Sequence, residues 1–255
     1  MKLTYIFHSG FVVETQSCVL VFDYWMDPAD CLPEILSKGK PVYVLVSHFH
    51  EDHFSREIFS WRQCYPHTSF TYILSKDIFR HHRCQKDEAD VLMVKGKSWC
   101  DKNIKIVAAG SNDSGVSWIV EVAGKRIFHA GDLNNWYARF LTSDYQGGTI
   151  WSFEFGEIDP QKDEKQYLGE LKDIRKMTDS FDVVLFPVDG KRFDIYNLSF
   201  LDMDGERGVA TKSPYIFTQS SGVDNVTAIC FFRRLYRVSF SYYCLIFAYW
   251  KRVIG

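Results

Sequence analysis

The stretch VSHFHEDHF, Val46 to Phe54, holds three histidines, one glutamate and one aspartate in nine residues. The run before it, PVYVLV (41–46), is apolar and β-branched, the signature of a buried strand. A strand that ends abruptly in imidazoles and carboxylates delivers them to a sheet edge. In an extended or turning segment His48 and His50 project in similar directions, because side chains alternate with period two. Asp52 and His53 follow a turn and can face the same cavity from another side. Imidazole nitrogen and carboxylate oxygen suit zinc and related divalent ions. The spacing therefore predicts a metal site, with one ion drawing on His48 and His50 and another on Asp52 and His53. A solvated polar loop explains one histidine well, but not three with an aspartate after a buried strand.

Outward from this stretch, the chain reads as alternating strands and helices. KLTYIFH, FVVET and CVLVFDYW form a predicted three-stranded meander. A loop and short helix end near Gly39, and SREIFSWRQCYP begins a helix at a Ser55 cap and stops before Pro66. FTYILS is a strand, KDIFRHHRC a helix, and DVLMVK and NIKIVAAG are further strands. VSWIVEVAGKRIFHAGD reads as a hairpin turning at Ala123-Gly124. DEKQYLGELKDIRKM is an amphipathic helix with Tyr167, Leu168, Leu171 and Ile174 near one face, and FDVVLFPVD is a buried strand. The order predicts a layered α/β fold.

The 255 residues, 46% hydrophobic, suffice for one large core or two fused halves of a domain. A net charge of −2 offers no global field for nucleic acid or an anionic membrane. Seven cysteines form no CxxC pair, which fits reduced thiols in a cytosol. The N-terminus shows no signal-peptide pattern, so a cytoplasmic location is expected. Through Gly190 there are 21 Lys+Arg against 27 Asp+Glu; beyond it there are 9 against 5, so the sign of the charge reverses. The sequence is accordingly divided into a main domain, 1–190, and a divergent segment, 191–255, that completes or replaces the second half. VSFSYYCLIFAYW, the most apolar run there, is shorter than the ~20 residues of a membrane-crossing helix.

The motif HxHxDH, here His48-Phe49-His50-Glu51-Asp52-His53, resembles that of the metallo-β-lactamase superfamily. FHSGFVVET and VLVFDYW resemble the opening meander of the branch that includes ascorbate-6-phosphate lactonase-like hydrolases. GSNDSGVSWIVEVAGKRIFHAGDLNNW resembles the hairpin whose last strand delivers a metal-bridging carboxylate, here Asp132. The resemblance covers roughly residues 1–190. It implies an αββα sandwich with two divalent ions at one edge of the sheets, zinc or alternatively manganese. It implies Asp23 as the carboxylate that fixes a ligand imidazole through its other nitrogen, and Asp52 as both a ligand and the group that orients an attacking water. The implied reaction is hydrolysis of a small ester, lactone, amide or phosphodiester.

Two departures matter. Where the superfamily supplies a third histidine to the first ion, this chain has AAGSNDSG; Asp113 is the substitute candidate, with loop capping as its other role. No histidine follows His129, so the family's late ligand is missing, and the C-terminal end is expected to be replaced, truncated or frame-shifted. His129 is assigned a supporting or core role and His8 a place lining the pocket; His81-His82 fall on a predicted helix and His67 in a loop. Trp25, Phe49, Phe54, Trp118 and Trp136 can shape a pocket or simply pack. The alternatives to a small-molecule hydrolase are a degenerate metal-binding paralogue and a nuclease or phosphodiesterase. For the latter, Arg233, Arg234 and Arg237 are the only candidate phosphate contacts, so nucleic acid is not expected as a partner.

Overall fold

The computed structural model describes residues 1–153, 155–188, 215–220 and 229–231. Two sheets dominate it. The first runs in spatial order through β1 (Lys2–Phe7), β2 (Gly10–Glu14), β3 (Val19–Phe22), β4 (Val42–Val46), β5 (Phe70–Ser75) and β6 (Val91–Met93). β1 to β3 pair antiparallel as the expected meander, and β3 to β6 pair parallel. Parallel neighbours need crossovers. Here they carry α1 (Leu32–Leu36), a 3₁₀ turn (Arg56–Ser60) running into α2 (Trp61–Cys64), and α3 (Lys76–Arg80).

The second sheet is built on β7 (Ser98–Cys100), β8 (Ile104–Ala109), β9 (Ser117–Val122) and β10 (Lys125–His129), all antiparallel. A hairpin of β11 (Ile150–Ser152) and β12 (Gly156–Ile158) precedes α4 (Pro160–Met177) and β13 (Val183–Val188), which lies parallel to β10. β14 (Tyr215–Ser220) joins parallel to β13, and β15 (Ile229–Phe231) closes that edge antiparallel. Part of the segment after Gly190 thus extends the second sheet. Arg233, Arg234, Arg237 and the run VSFSYYCLIFAYW lie outside the described residues. Among the described residues no helix is long and apolar enough to cross a membrane.

Strand alternation explains the layers. On β2 to β5, Phe11, Val13, Leu20, Phe22, Tyr43, Leu45 and Ile73 face inward, where they meet Ile106, Trp118, Val120, Ile127 and Leu185 of the second sheet. Their neighbours Val12, Val19, Val21, Val44 and Leu74 point outward and are covered by Leu32, Leu36, Ile58, Trp61 and Ile78. On the far side Ile119, Phe128, Val184 and Phe186 are covered by Tyr167, Leu171 and Ile174 of α4. Three apolar seams between four layers make the αββα sandwich. Because both faces of each central strand are covered, these strands read as unbroken apolar runs.

Local structure departs from the sequence reading at several points, the β11–β12 hairpin among them. Ser55 does cap its segment, its side chain accepting from the Glu57 amide, but the chain first takes a 3₁₀ turn and completes only one α-helical turn before Tyr65. α3 stops at Arg80, so His81 and His82 lie beyond the helix; His82 has φ +57, and His81 stacks on Phe49 at 3.7 Å. Leu168 is 41% exposed, because one residue from Tyr167 turns it 100° off the stripe that buries Leu171 and Ile174. β7 was not anticipated: its three residues alternate around a single half-buried Trp99, too short for a periodic signal.

α4 starts where Asp159 accepts a 3.0 Å hydrogen bond from the Lys162 amide, with Pro160 as first helical residue. Asp159→Ala therefore should lower stability by about 1 kcal/mol, read as a drop of a few degrees, roughly 2–4 °C, in thermal unfolding.

Candidate metal centre

The site is assembled at the carboxyl ends of β3 and β4. Asp23 follows β3 in a left-handed conformation, φ +42, and its amide donates to Leu45 O at 2.9 Å. The carboxylate is fully buried and accepts three bonds. Oδ1 receives the Ser47 amide at 2.7 Å; Oδ2 receives Ser47 Oγ at 2.5 Å and His53 Nδ1 at 2.7 Å. Burial opposes ionisation of Asp23, but the neighbouring imidazoles of His129, His53 and His48 hold it below the usual carboxylate range.

This network sets the direction of two imidazoles. His53 is held at Nδ1, so Nε2 faces outward, 3.1 Å from Asp132 Oδ1, 3.4 Å from Ser9 Oγ and 3.7 Å from Asp52 Oδ2. Ser47 spends its proton on Asp23, so its oxygen accepts from His48 Nδ1 at 2.9 Å. His48 Nε2 is then left with a bare lone pair. That atom is buried, has no hydrogen-bond partner, and lies 3.7 Å from Asp132 Oδ2 and 4.0 Å from Asp113 Oδ2. His50 is the more open member, 3.7 Å from Asp113 Oδ2 through Nδ1.

Two loops from the second sheet bring the carboxylates. Asn112 Nδ2 donates to Asn134 O at 2.7 Å, and Asn112 Oδ1 accepts from the Asn134 amide at 3.1 Å. This reciprocal clasp ties the loop of Asp113 to the loop of Asp132. The first loop docks on β4 through Val116 N to Ser47 O at 3.0 Å. Gly115 makes that approach possible. Its φ is +65, and a Cβ there would sit 2.1 Å from Ser47 O and 2.7 Å from His48 Cβ. Gly131, φ +56, turns the chain between β10 and Asp132; a Cβ would lie 2.9 Å from Ser47 Oγ.

His129, at the end of β10, is fully buried and stacks on Phe22 with ring centres 5.0 Å apart. Nε2 donates to Ser9 O at 3.0 Å and Nδ1 accepts from the Gly131 amide at 3.2 Å, so both nitrogens are committed to backbone. Its role is to hold the β1–β2 turn and the Asp132 turn together. His8 lies in that β1–β2 turn, Nε2 3.6 Å from Asp52 Oδ2. Among the aromatics, Trp118 and Phe54 are core, Trp25 packs edge-on against His8, and Trp136 Nε1 donates to Asp132 O at 3.0 Å.

Three overlapping clusters result, each with its potential ligand atoms within 4.8 Å of one another: His48, His50, Asp113 and Asp132; His8, Asp52 and His53; Asp23, His48 and His53. Charge within them is polarised. Burial and the charge of His53 depress His48 to about 3. Burial opposes the charge of His53 as well, but Asp132 and Asp23 outweigh it and hold its proton well above the usual histidine range. Burial and then the Asp132 carboxylate raise Asp113, while the His53 and His48 imidazoles outweigh burial and hold Asp132 well below its ordinary value. A bare buried imidazole nitrogen surrounded by an excess of carboxylates is the donor set that divalent cations fit. Sequence reading singled out His48, His50, Asp52, His53, Asp113, Asp132, Asp23, His129 and His8, and all of them converge here. It missed Ser47, Gly115, Gly131 and the Asn112–Asn134 clasp. Only the glycines carry a local signal, as turn residues beside polar loops.

The profile described as "Beta-lactamase superfamily domain" matches residues 2–139, and the chain belongs to that family. No curated protein matches it. Among solved structures it is similar to Igni18, a novel metallo hydrolase from Ignicoccus hospitalis, at 18% identity and TM-score 0.49 over 78% of this chain and 75% of that one. It is similar also to CmlA, a diiron β-hydroxylase from Streptomyces venezuelae, at 13% identity and TM-score 0.44, over 82% of this chain and 40% of that one. A possible metal-dependent hydrolase from Veillonella parvula gives 13% identity and TM-score 0.42, with 73% and 71% covered.

Gly115→Ala tests the close approach of the Asp113 loop to β4. It forces a left-handed alanine, at a cost of about 1–2 kcal/mol, and in addition a shift of Ser47, whose carbonyl oxygen would lie 2.1 Å from the new Cβ. Thermal unfolding should fall by several degrees while Gly124→Ala, whose Cβ meets nothing within 4 Å, loses only the backbone term.

Proposed function

We propose that this member of the β-lactamase superfamily is a metal-dependent hydrolase of a small ester, lactone or phosphorylated metabolite, in the ascorbate-6-phosphate lactonase-like branch. The observation that carries the reading is His48 Nε2: buried, without a partner, and directed at Asp113 and Asp132. An unpaired polar atom at 0% exposure is costly unless something outside the polypeptide satisfies it.

His48, His50 and Asp113 would hold one cation, His53 and Asp52 a second, with Asp132 reaching both groups. When bound, two divalent cations, zinc or manganese, polarise a substrate oxygen and lower the pKa of water toward neutrality. The chain's own part is orientation. Asp23 holds His53 at Nδ1 directly and His48 through Ser47, so neither ring is free to turn away. Asp52, 39% exposed, is the carboxylate at the solvent side of the cluster and the candidate to accept a proton from an attacking water. Trp25 packs against His8 and Phe49 against His50, so both would supply apolar contact for a small substrate. The lactonase-like assignment rests on the FHSGFVVET and VLVFDYW segments, which supply His8, Ser9 and Asp23. A cytoplasmic location is supported by five unpaired cysteines among the described residues.

Elemental analysis of the purified chain should find about two zinc or manganese ions per molecule. Hydrolysis of an ester, lactone and phosphodiester panel should stop with chelator, return with either ion, and fall to background in Asp132→Ala and His50→Ala. Metal content near zero in the folded protein would sink the enzyme reading in favour of a degenerate paralogue. Asp23→Asn keeps the shape but not the charge, and should weaken cation binding by roughly 10–100-fold, measured by competition with a chromogenic chelator.

A further inference from the structure

The second group of ligands is the weaker half of the proposed centre. His53 and Asp52 are adjacent in sequence, and no histidine follows His129 to join them. We propose that His8 is the missing ligand: the β1–β2 turn supplies from the start of the chain the imidazole that the family takes from its end. This rests on the hydrolase reading above and adds to it a residue and a site composition.

Four observations carry it. His8 Nε2 is 3.6 Å from Asp52 Oδ2, and Asp52 Oδ2 is 3.7 Å from His53 Nε2. Ligand atoms about 2.1 Å from a tetrahedral zinc lie roughly 3.4 Å apart, so these separations are those of a coordination triangle. His8 Nδ1 is already engaged by Ser9 Oγ at 3.1 Å, which fixes the ring with Nε2 toward the cluster. The ring is packed edge-on between Trp25 and His53, centroids 5.8 and 5.7 Å away, and its side chain is 13% exposed. Finally, His8 holds φ +53 in a two-residue turn, a conformation that favours glycine and costs a histidine about 1 kcal/mol. His129 clamps that turn through Ser9 O, so the strained residue cannot relax by moving away. A histidine kept where glycine would fit better, aimed at a histidine and an aspartate, is placed for what its imidazole does.

The turn conformation also supplies the clean variant. His8→Gly suits φ +53 and removes only the ring; His8→Asn, a residue tolerant of left-handed backbone, is the companion if the glycine variant loses its far-UV circular dichroism. Metal-free full-length protein is titrated with Zn²⁺ in a calorimeter and checked by elemental analysis. Wild type should take up two ions, and His8→Gly should keep one at unchanged affinity while the other weakens by roughly 100-fold or more. In the Co²⁺-loaded wild type, ¹H NMR should show a paramagnetically shifted N–H from His8 Nδ1 that the variant lacks. Two ions at wild-type affinity in His8→Gly, or no such shifted resonance in wild type, would overturn the assignment of His8 alone. Wild type that binds no ion would overturn the hydrolase reading, and this inference with it.

Discussion

The site depends on one buried carboxylate. Asp23 sits at 0% exposure between the two sheets and gives its oxygens to a backbone amide, a hydroxyl and an imidazole. A buried charge survives only when hydrogen bonds replace water. Each of those three bonds also fixes a direction. The Ser47 amide ties the end of β4 to the end of β3, the hydroxyl passes the constraint to His48, and the imidazole of His53 is held outright. Removing the carboxylate would therefore release two rings and a strand end together, which a bond to any single ligand would not do.

Convergence of the two sheets is the second requirement. HxHxDH supplies donors from one sheet only; Asp113 and Asp132 come from loops of the other. They reach the cluster because the backbone at Gly115 and Gly131 lies against Ser47, closer than any side chain permits. Ser47 is thus touched from three directions, by Asp23, by the Gly115 loop and by the Gly131 turn. A small hydroxyl residue satisfies all three, accepting no larger volume and leaving no polar atom idle.

What could be read from the chain follows the range of the interactions. The apolar runs of β2 to β5 and β8 to β10 are buried on both faces, so their composition alone marked them as strands. The stripe Tyr167, Leu171 and Ile174 marked α4 because helical period is local, and the same locality put His48, His50, Asp52 and His53 on one turn. β7 and the 3₁₀ turn at Arg56–Ser60 escaped because three to five residues carry too little period to separate the alternatives. Ser47 and the Asn112–Asn134 clasp escaped for another reason. Their partners lie 24 and 22 residues away, respectively, and a serine or asparagine in a loop looks the same with or without them. His8 was legible as a pocket residue and no further, since β2, β3 and β4 separate it from Asp52 in sequence.

The electrostatics give the cluster its internal order. His48 and His53 lie with ring centres 4.0 Å apart and planes tilted by 45°, yet their surroundings push them in opposite directions. Burial and the proton on His53 keep His48 neutral; Asp23 on one side and Asp132 on the other outweigh burial and keep His53 charged. The protein thus carries one cation of its own at the point where two carboxylates meet. A divalent ion held by His53 and Asp132 would supply the same attraction with twice the charge, and His53 would give up the proton on Nε2 to bind it. The 3.1 Å ion pair between His53 and Asp132 is a stand-in that holds the two residues close together. His48 Nε2 has no such stand-in, because burial and then repulsion from the proton on His53 exclude a second proton, and its lone pair stays bare.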